Sequence, residues 1–192
     1  MFERCDRVDV HMTRAAVCLG LAVFACVSST SVGAGFLSDQ VPEMRGAGAC
    51  WERRYSDAHL SKHPGQKVTE LRLFLSYDGV SQNYVFDLDI ATRERSGAVY
   101  GACRDRQGGA AECMISCAND AFQLRVAKRA GSIMVDISAV GRLAINARCP
   151  DQDEGAPPFV IDALPDDELF LLFPASVKTC SVQPFRPYLK QE

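Results

Sequence analysis

From residue 67 onward apolar and polar residues alternate with a period of two, and that rhythm argues against helix for most of the remaining chain. In 67–77, Leu71, Leu73, Leu75 and Tyr77 alternate with Arg72, Phe74 and Ser76 ahead of an Asp78-Gly79 turn. Successive side chains of a strand point to opposite faces, so this spacing builds one apolar face; a helix would scatter the same residues around its circumference. Similar short runs recur at 84–90, 97–103, 111–117, 122–127, 133–137, 142–147 and 169–173, separated by turn residues. Inward faces are readable as Phe122, Leu124 and Val126, then Ile133, Val135 and Ile137, then Leu143, Ile145 and Ala147. About eight short strands without intervening helices predict an all-β fold, either an antiparallel barrel or a two-sheet sandwich, with the barrel preferred.

The segment ahead of these strands is different. Residues 51–63 are polar, with Trp51, Tyr55 and Leu60 as the larger apolar groups. Ser56 is placed to cap a short helical turn that Pro64 ends, the single helix expected in the folded part.

The N-terminus reads as a signal peptide. Arg4, Arg7 and Arg14 precede an apolar run over 15–27, too short to span a bilayer as a helix. A small, polar stretch comes next, and Val32 and Ala34 occupy the positions a signal peptidase reads, which places cleavage after Ala34. Met12 precedes the same apolar run and is an alternative start. The rival reading is a lipoprotein acylated at Cys26, but Phe24 is large for a lipobox. Export to the periplasm or the medium is the expectation. Residues 35–49 would then be a flexible N-terminus, 50–186 a single β domain and 187–192 a tail, with no membrane span after the leader.

Of nine cysteines, Cys5, Cys18 and Cys26 lie in the leader, leaving Cys50, Cys103, Cys113, Cys117, Cys149 and Cys180. An even, scattered set in an exported chain reads as a disulfide framework; paired Cys-x2-Cys knuckles of a zinc site are missing. Fifteen pairings are possible on paper. The proposed set joins Cys50 to Cys180 across the domain and Cys103 to Cys113 around a turn-rich Arg104-Asp105-Arg106-Gln107-Gly108-Gly109, which leaves Cys117 with Cys149.

The formal net charge of -3 gives nucleic acid no electrostatic reason to bind. Hydrophobic residues at 47% and charged residues at 23% suit a soluble domain that can bury a core. No repeat or linker divides it, and nothing bears on its oligomeric state.

Chemistry-bearing residues are few. His59 and His63 stand four apart in His59-Leu60-Ser61-Lys62-His63, on one face of the expected helix, with Asp57 as the nearest third donor for zinc or copper. Leu60 replaces the zincin glutamate, so no metalloprotease is expected. The alternative is that one imidazole bonds the local turn and the other is solvated. Two loops are short and acidic, 150–158 with Asp151, Asp153 and Glu154, and 165–168 with Asp166 and Asp167; Asp151-x-Asp153-x-Gly155 echoes the start of a calcium loop but lacks its later bidentate glutamate. There is no Gly-x-Ser-x-Gly elbow and no phosphate-cradling loop, and nothing calls for a cofactor. Enzyme activity is the minority reading; a module binding an unidentified protein or small ligand through loops at one end is preferred.

Two resemblances add to this. The run Cys50-Trp51-Glu52-Arg53-Arg54-Tyr55-Ser56-Asp57-Ala58-His59-Leu60, with His63-Pro64 and Gln66-Lys67-Val68, resembles small exported bacterial proteins of unassigned function, as do residues 113–117 and the Asp166-Asp167 turn. That resemblance implies export and disulfides and carries no functional residue. Ser96-Gly97-Ala98-Val99-Tyr100 is similar to the Ser-Gly-x-x-Tyr loop of periplasmic C-type lysozyme inhibitors, small disulfide-bearing β-barrels. It implies a partner-binding loop at Ser96, Gly97 and Tyr100. The family's second motif, Trp-x-Lys-Gly, is missing: Trp51 is followed by Glu52-Arg53-Arg54.

Overall fold

A computed structural model describes residues 35–146 and 157–180. Its strands are β1 (Gly48–Arg54), β2 (Val68–Asp78), β3 (Asn83–Thr92), β4 (Ser96–Arg106), β5 (Ala110–Ile115), β6 (Ala121–Val126), β7 (Ile133–Asp136), β8 (Arg142–Ile145), β9 (Phe159–Asp162) and β10 (Leu169–Ala175). Eight of them close into an antiparallel barrel in the order β1-β10-β7-β6-β5-β4-β3-β2, while β8 and β9 form a separate two-stranded sheet. The choice between barrel and sandwich is thus decided for the barrel. Closure leaves these staves no exposed edge.

Period-two patterning makes the barrel wall. Leu71, Leu73 and Leu75 of β2, Phe86, Leu88 and Ile90 of β3, and Phe122 and Leu124 of β6 are all buried. An eight-stranded barrel is just wide enough for side chains to fill. Phe86 meets Phe122 edge to face at 4.9 Å within it, beside Phe170 and Leu172 of β10.

Two staves are not those expected. Residues 142–145 form a strand, as the pattern predicts, but β8 pairs with β9 rather than joining the wall. The missing stave is β1, whose Trp51–Arg54 half reads as polar approach to a helix. It is a strand because its neighbours supply what its sequence lacks. Along seven register positions it pairs with β2, and Trp51 buries its ring while donating its indole N–H to the Gly131 carbonyl at 2.9 Å.

Short helices flank the barrel. The expected one is α2 (Asp57–Lys62), with Ser56 as N-cap accepting the His59 amide. Two more occur, α1 (Phe36–Gln40) and α3 (Val177–Cys180). Residues 35–49 therefore differ from the flexible segment expected. Phe36, Leu37 and Val41 are buried in the core, the Leu37 amide donates to Asp105 Oδ1, and Tyr84 donates its hydroxyl to the Val41 carbonyl. These contacts seat α1 on the end where β3 begins and β4 finishes. At the other end, where β2 begins and β3 finishes, sit α2, β8 and β9. None of the helices among the described residues is long and apolar enough to cross a membrane.

Cys50–Cys180 and Cys103–Cys113 are disulfides, as expected. Cys103 and Cys113 face each other directly across β4 and β5, with Cα atoms 4.0 Å apart. Cys50 lies opposite Ala175 at the seam where β1 meets β10 and closes the barrel, and its bond ties β1 to α3, the helix that follows β10. That seam pairs only three residues. Cys117 is also disulfide-bonded; Cys149, its expected partner, lies outside the described residues, as do the leader and the tail 187–192.

Candidate ligand groove

The α2 end gathers what the sequence scatters. Ser56 starts α2 and Pro64 comes just after its end, so His59 and His63 fall on one face, and their rings stack at 4.4 Å. The stack continues to Tyr55, 4.8 Å from His59, and the Arg53 guanidinium lies over Tyr55 at 4.8 Å and over Phe173 at 5.0 Å. Burial pushes the Tyr55 hydroxyl above its usual range, and the Arg53 charge opposes that rise.

Each histidine also has a hydrogen-bonding partner. His59 Nε2 is 3.0 Å from Gln66 Oε1, and His63 Nδ1 is 3.0 Å from Asp166 Oδ1. The ring nitrogens expected to ligate metal thus tie α2 to the loop behind it and to the loop before β10. Asp57 is not drawn in; among the described residues no three His, Cys, Asp or Glu side chains are grouped to hold a metal.

Of the two acidic loops, 165–168 is described, and its acidity is architectural. Asp167 is fully buried and accepts the Lys67 amide at 2.6 Å and the Val68 amide at 3.2 Å. Burial raises its pKa, against the pull of those two donors. Asp151, Asp153 and Glu154 lie outside the described residues.

Next to α2, the β3–β4 turn is held by Thr92, whose hydroxyl donates to the Arg95 carbonyl at 2.9 Å while its oxygen accepts the Arg95 amide. The turn presents Arg93 and Arg95 on opposite sides of Glu94 in sequence. Arg93 donates to the Leu60 carbonyl of α2 at 3.2 Å, and the Arg95 guanidinium lies 5.2 Å from the Phe159 ring of β9. Between this turn, residues 64–67 and β9 runs a groove of about 470 Å³. Pro64, Gln66 and Lys67 line one part, Thr92 to Arg95 another, and Phe159, Val160 and Ile161 the third. Three cations and one carboxylate border it, although the chain as a whole is acidic. Lys67 also approaches Asp162 at 3.5 Å.

The residues that resemble the lysozyme-inhibitor loop fall elsewhere. Ser96, Gly97 and Tyr100 are not in a loop; they belong to β4, because the Thr92–Arg95 turn is so tight that pairing resumes at Ser96 opposite Ala91. Ser96 and Gly97 border a second groove of about 370 Å³ with Glu70, Arg72, Asp89 and Asn146. Burial raises the Asp89 pKa there, with Arg72 at 3.2 Å opposing it. A Cβ on Gly97 would lie 2.5 Å from Asn146 Oδ1 and 2.6 Å from Ile145 Cγ2, so glycine is needed for β8 to pack on β4.

No family model, curated protein or solved structure matches the chain. Function is therefore read from the geometry. Lys67, Arg93, Arg95 and Phe159 escape a sequence reading because they come from separate elements, and none belongs to a motif. The Thr92-Arg93-Glu94-Arg95 turn was the available signal, two cations at the tip of a hairpin.

Proposed function

We propose that this chain is an exported, non-enzymatic binding module, and that its binding face is the groove between the β3–β4 turn, residues 64–67 and β9. One observation carries the reading: Lys67, Arg93 and Arg95 converge on one groove with an aromatic wall at Phe159, in a molecule of net negative charge. Such a site favours an anionic ligand, steering it by charge and holding it by bidentate guanidinium bonds. A barrel filled by its own side chains suits a rigid platform with recognition at its end loops.

The reading is tested by titrating isotope-labelled protein with poly-L-glutamate and following backbone amide shifts. Shifts confined to residues 64–67, 92–95 and 159–161, lost in an Arg93→Glu/Arg95→Glu variant, are expected. Shifts elsewhere, or none, would overturn it. Export is tested by intact mass of protein recovered from the periplasm or medium, alkylated with and without reduction. A chain beginning at Gly35 with its six cysteines protected is expected; an acylated Cys26, or free thiols, contradicts it.

The alternative of a lysozyme inhibitor is favoured by one feature, the exposure of Ser96 on the rim of the second groove. A turbidity assay with C-type lysozyme decides it: inhibition lost in Ser96→Ala would support it, and undiminished lysis would remove it.

A further inference from the structure

The cationic groove is lined by Phe159, Val160 and Ile161 of β9, and the phase of the β8–β9 ladder determines what the outer edge of that strand offers. Ala163 donates its amide to the Gly141 carbonyl at 2.8 Å, continuing the ladder beyond the paired residues. In an antiparallel pair bonded and non-bonded positions alternate. With Leu143 opposite Ile161 and Ile145 opposite Phe159, the bonded positions are Ile161 and Phe159, while Val160 and Asp162 turn their amides away from β8. The partner strand confirms the phase. Ala144 and Asn146 donate outward, to Asp120 Oδ2 at 2.9 Å and to the Ala98 carbonyl at 3.2 Å.

On the outer edge of β9, the Asp162 carbonyl is taken by the Leu164 amide at 2.8 Å. Among the described residues no hydrogen bond is made to the Val160 N–H or C=O or to the Asp162 N–H. Val160 is 46% exposed. A row of unpaired donors and acceptors on a strand edge is a template for another strand.

We propose that β9 accepts an extended acidic peptide segment of a partner protein as a third strand, with Lys67, Arg93 and Arg95 neutralising its carboxylates. This deepens the binding-module reading and rests on it. Only a polypeptide offers donors and acceptors at strand spacing, which selects a peptide over a phosphate or an anionic sugar. Charge complementarity with the groove selects an acidic one. Hydrogen bonding along β9 would supply orientation, and the cations would supply specificity for acidic residues at alternate positions.

The probe is a fluorescein-labelled, acetylated and amidated octapeptide of alternating Val and Glu, with two further versions N-methylated on one or the other set of alternate residues. Fluorescence anisotropy should show binding of the parent peptide and at least about a tenfold loss with one of the two methylated versions, the scale of one or two hydrogen bonds. A Val160→Pro variant should weaken the parent similarly with an unchanged circular dichroism spectrum, because the amide it removes lies outside the β8–β9 ladder and proline is tolerated on such an edge. Methylation acts on the peptide, so that arm stands even if the variant misfolds. Equal binding of both methylated versions would overturn strand addition; if Arg93→Glu/Arg95→Glu still abolishes it, the charged groove survives. Absence of parent binding overturns the proposal, and the poly-L-glutamate titration then shows separately whether the groove reading falls with it.

Discussion

Removing the Cys50–Cys180 bond should cost more stability than any surface change, because it ties the strand at the weakest joint of the barrel, β1, to the chain just beyond its partner β10. β1 pairs with β2 over seven residues but with β10 over three, and the bond ties β1 to the helix that comes after β10. Cross-linking residues 130 apart removes, on the chain-entropy model, about 5 kcal/mol of denatured-state freedom. Cys50 is buried, so a Cys50→Ala/Cys180→Ala variant also leaves a small void worth about 1 kcal/mol. Domains of this kind have about 5–15 kcal/mol in total, so the variant should be marginal, with a Tm lowered by roughly 10–20 °C. Urea denaturation of both proteins under oxidising conditions measures the difference. The competing view is that α3 merely detaches from β1 and β2, where Arg72 donates to the Thr179 carbonyl at 3.0 Å. A loss below about 2 kcal/mol, with hydrogen exchange accelerated only in α3, would refute the seam argument.

Four further outcomes follow from individual residues. Asp167→Ala strips the buried Val68 amide and the partly buried Lys67 amide of their acceptor and should cost about 2–3 kcal/mol by denaturant titration. The folded pKa of Asp167 is raised by burial, so its contribution is present below the ordinary carboxylate pKa and is lost as pH rises through the raised value; subtracting the pH profile of Asp167→Asn from wild type should isolate that decline, and a rise with pH would contradict it. Gly101→Ala would drive a Cβ into the Met114 carbonyl oxygen across the β4–β5 pair, and backbone cannot yield cheaply; a loss of about 2–3 kcal/mol is expected, and a neutral result would show that the strands can part. Elemental analysis of the purified chain should find less than one zinc or copper per molecule, whereas a stoichiometric metal lost in both His59→Ala and His63→Ala would restore the metal reading.

Legibility tracked the range of the interaction. Strands β2 to β7 and β10 were readable because one barrel face is buried along each, which imposes period two on neighbouring residues. The Ser56 cap was readable because its partner, the His59 amide, is three residues away. The Cys103–Cys113 bond was readable because a hairpin turn sets its two cysteines opposite each other. By contrast, β1 was obscured because Glu52, Arg53 and Arg54 interrupt its apolar pattern, with the arginines used in ring stacking and in a pair with Glu70. The seating of α1 was hidden because Leu37 finds Asp105 across 68 residues.

The candidate groove shows the same division. The α2 histidines were visible as a pair, but their partners Gln66 and Asp166, which tie α2 to two loops, come from different segments. An all-β, disulfide-stapled architecture was already written in the order of residues, since alternation, turns and cysteine count are local properties of the chain. Only in the folded molecule does β8 leave the wall to pair with β9, the Thr92–Arg95 turn meet β9, and three cations share one groove. Those outcomes depend on which strands are left outside the wall once the barrel closes, a condition set by all eight staves together.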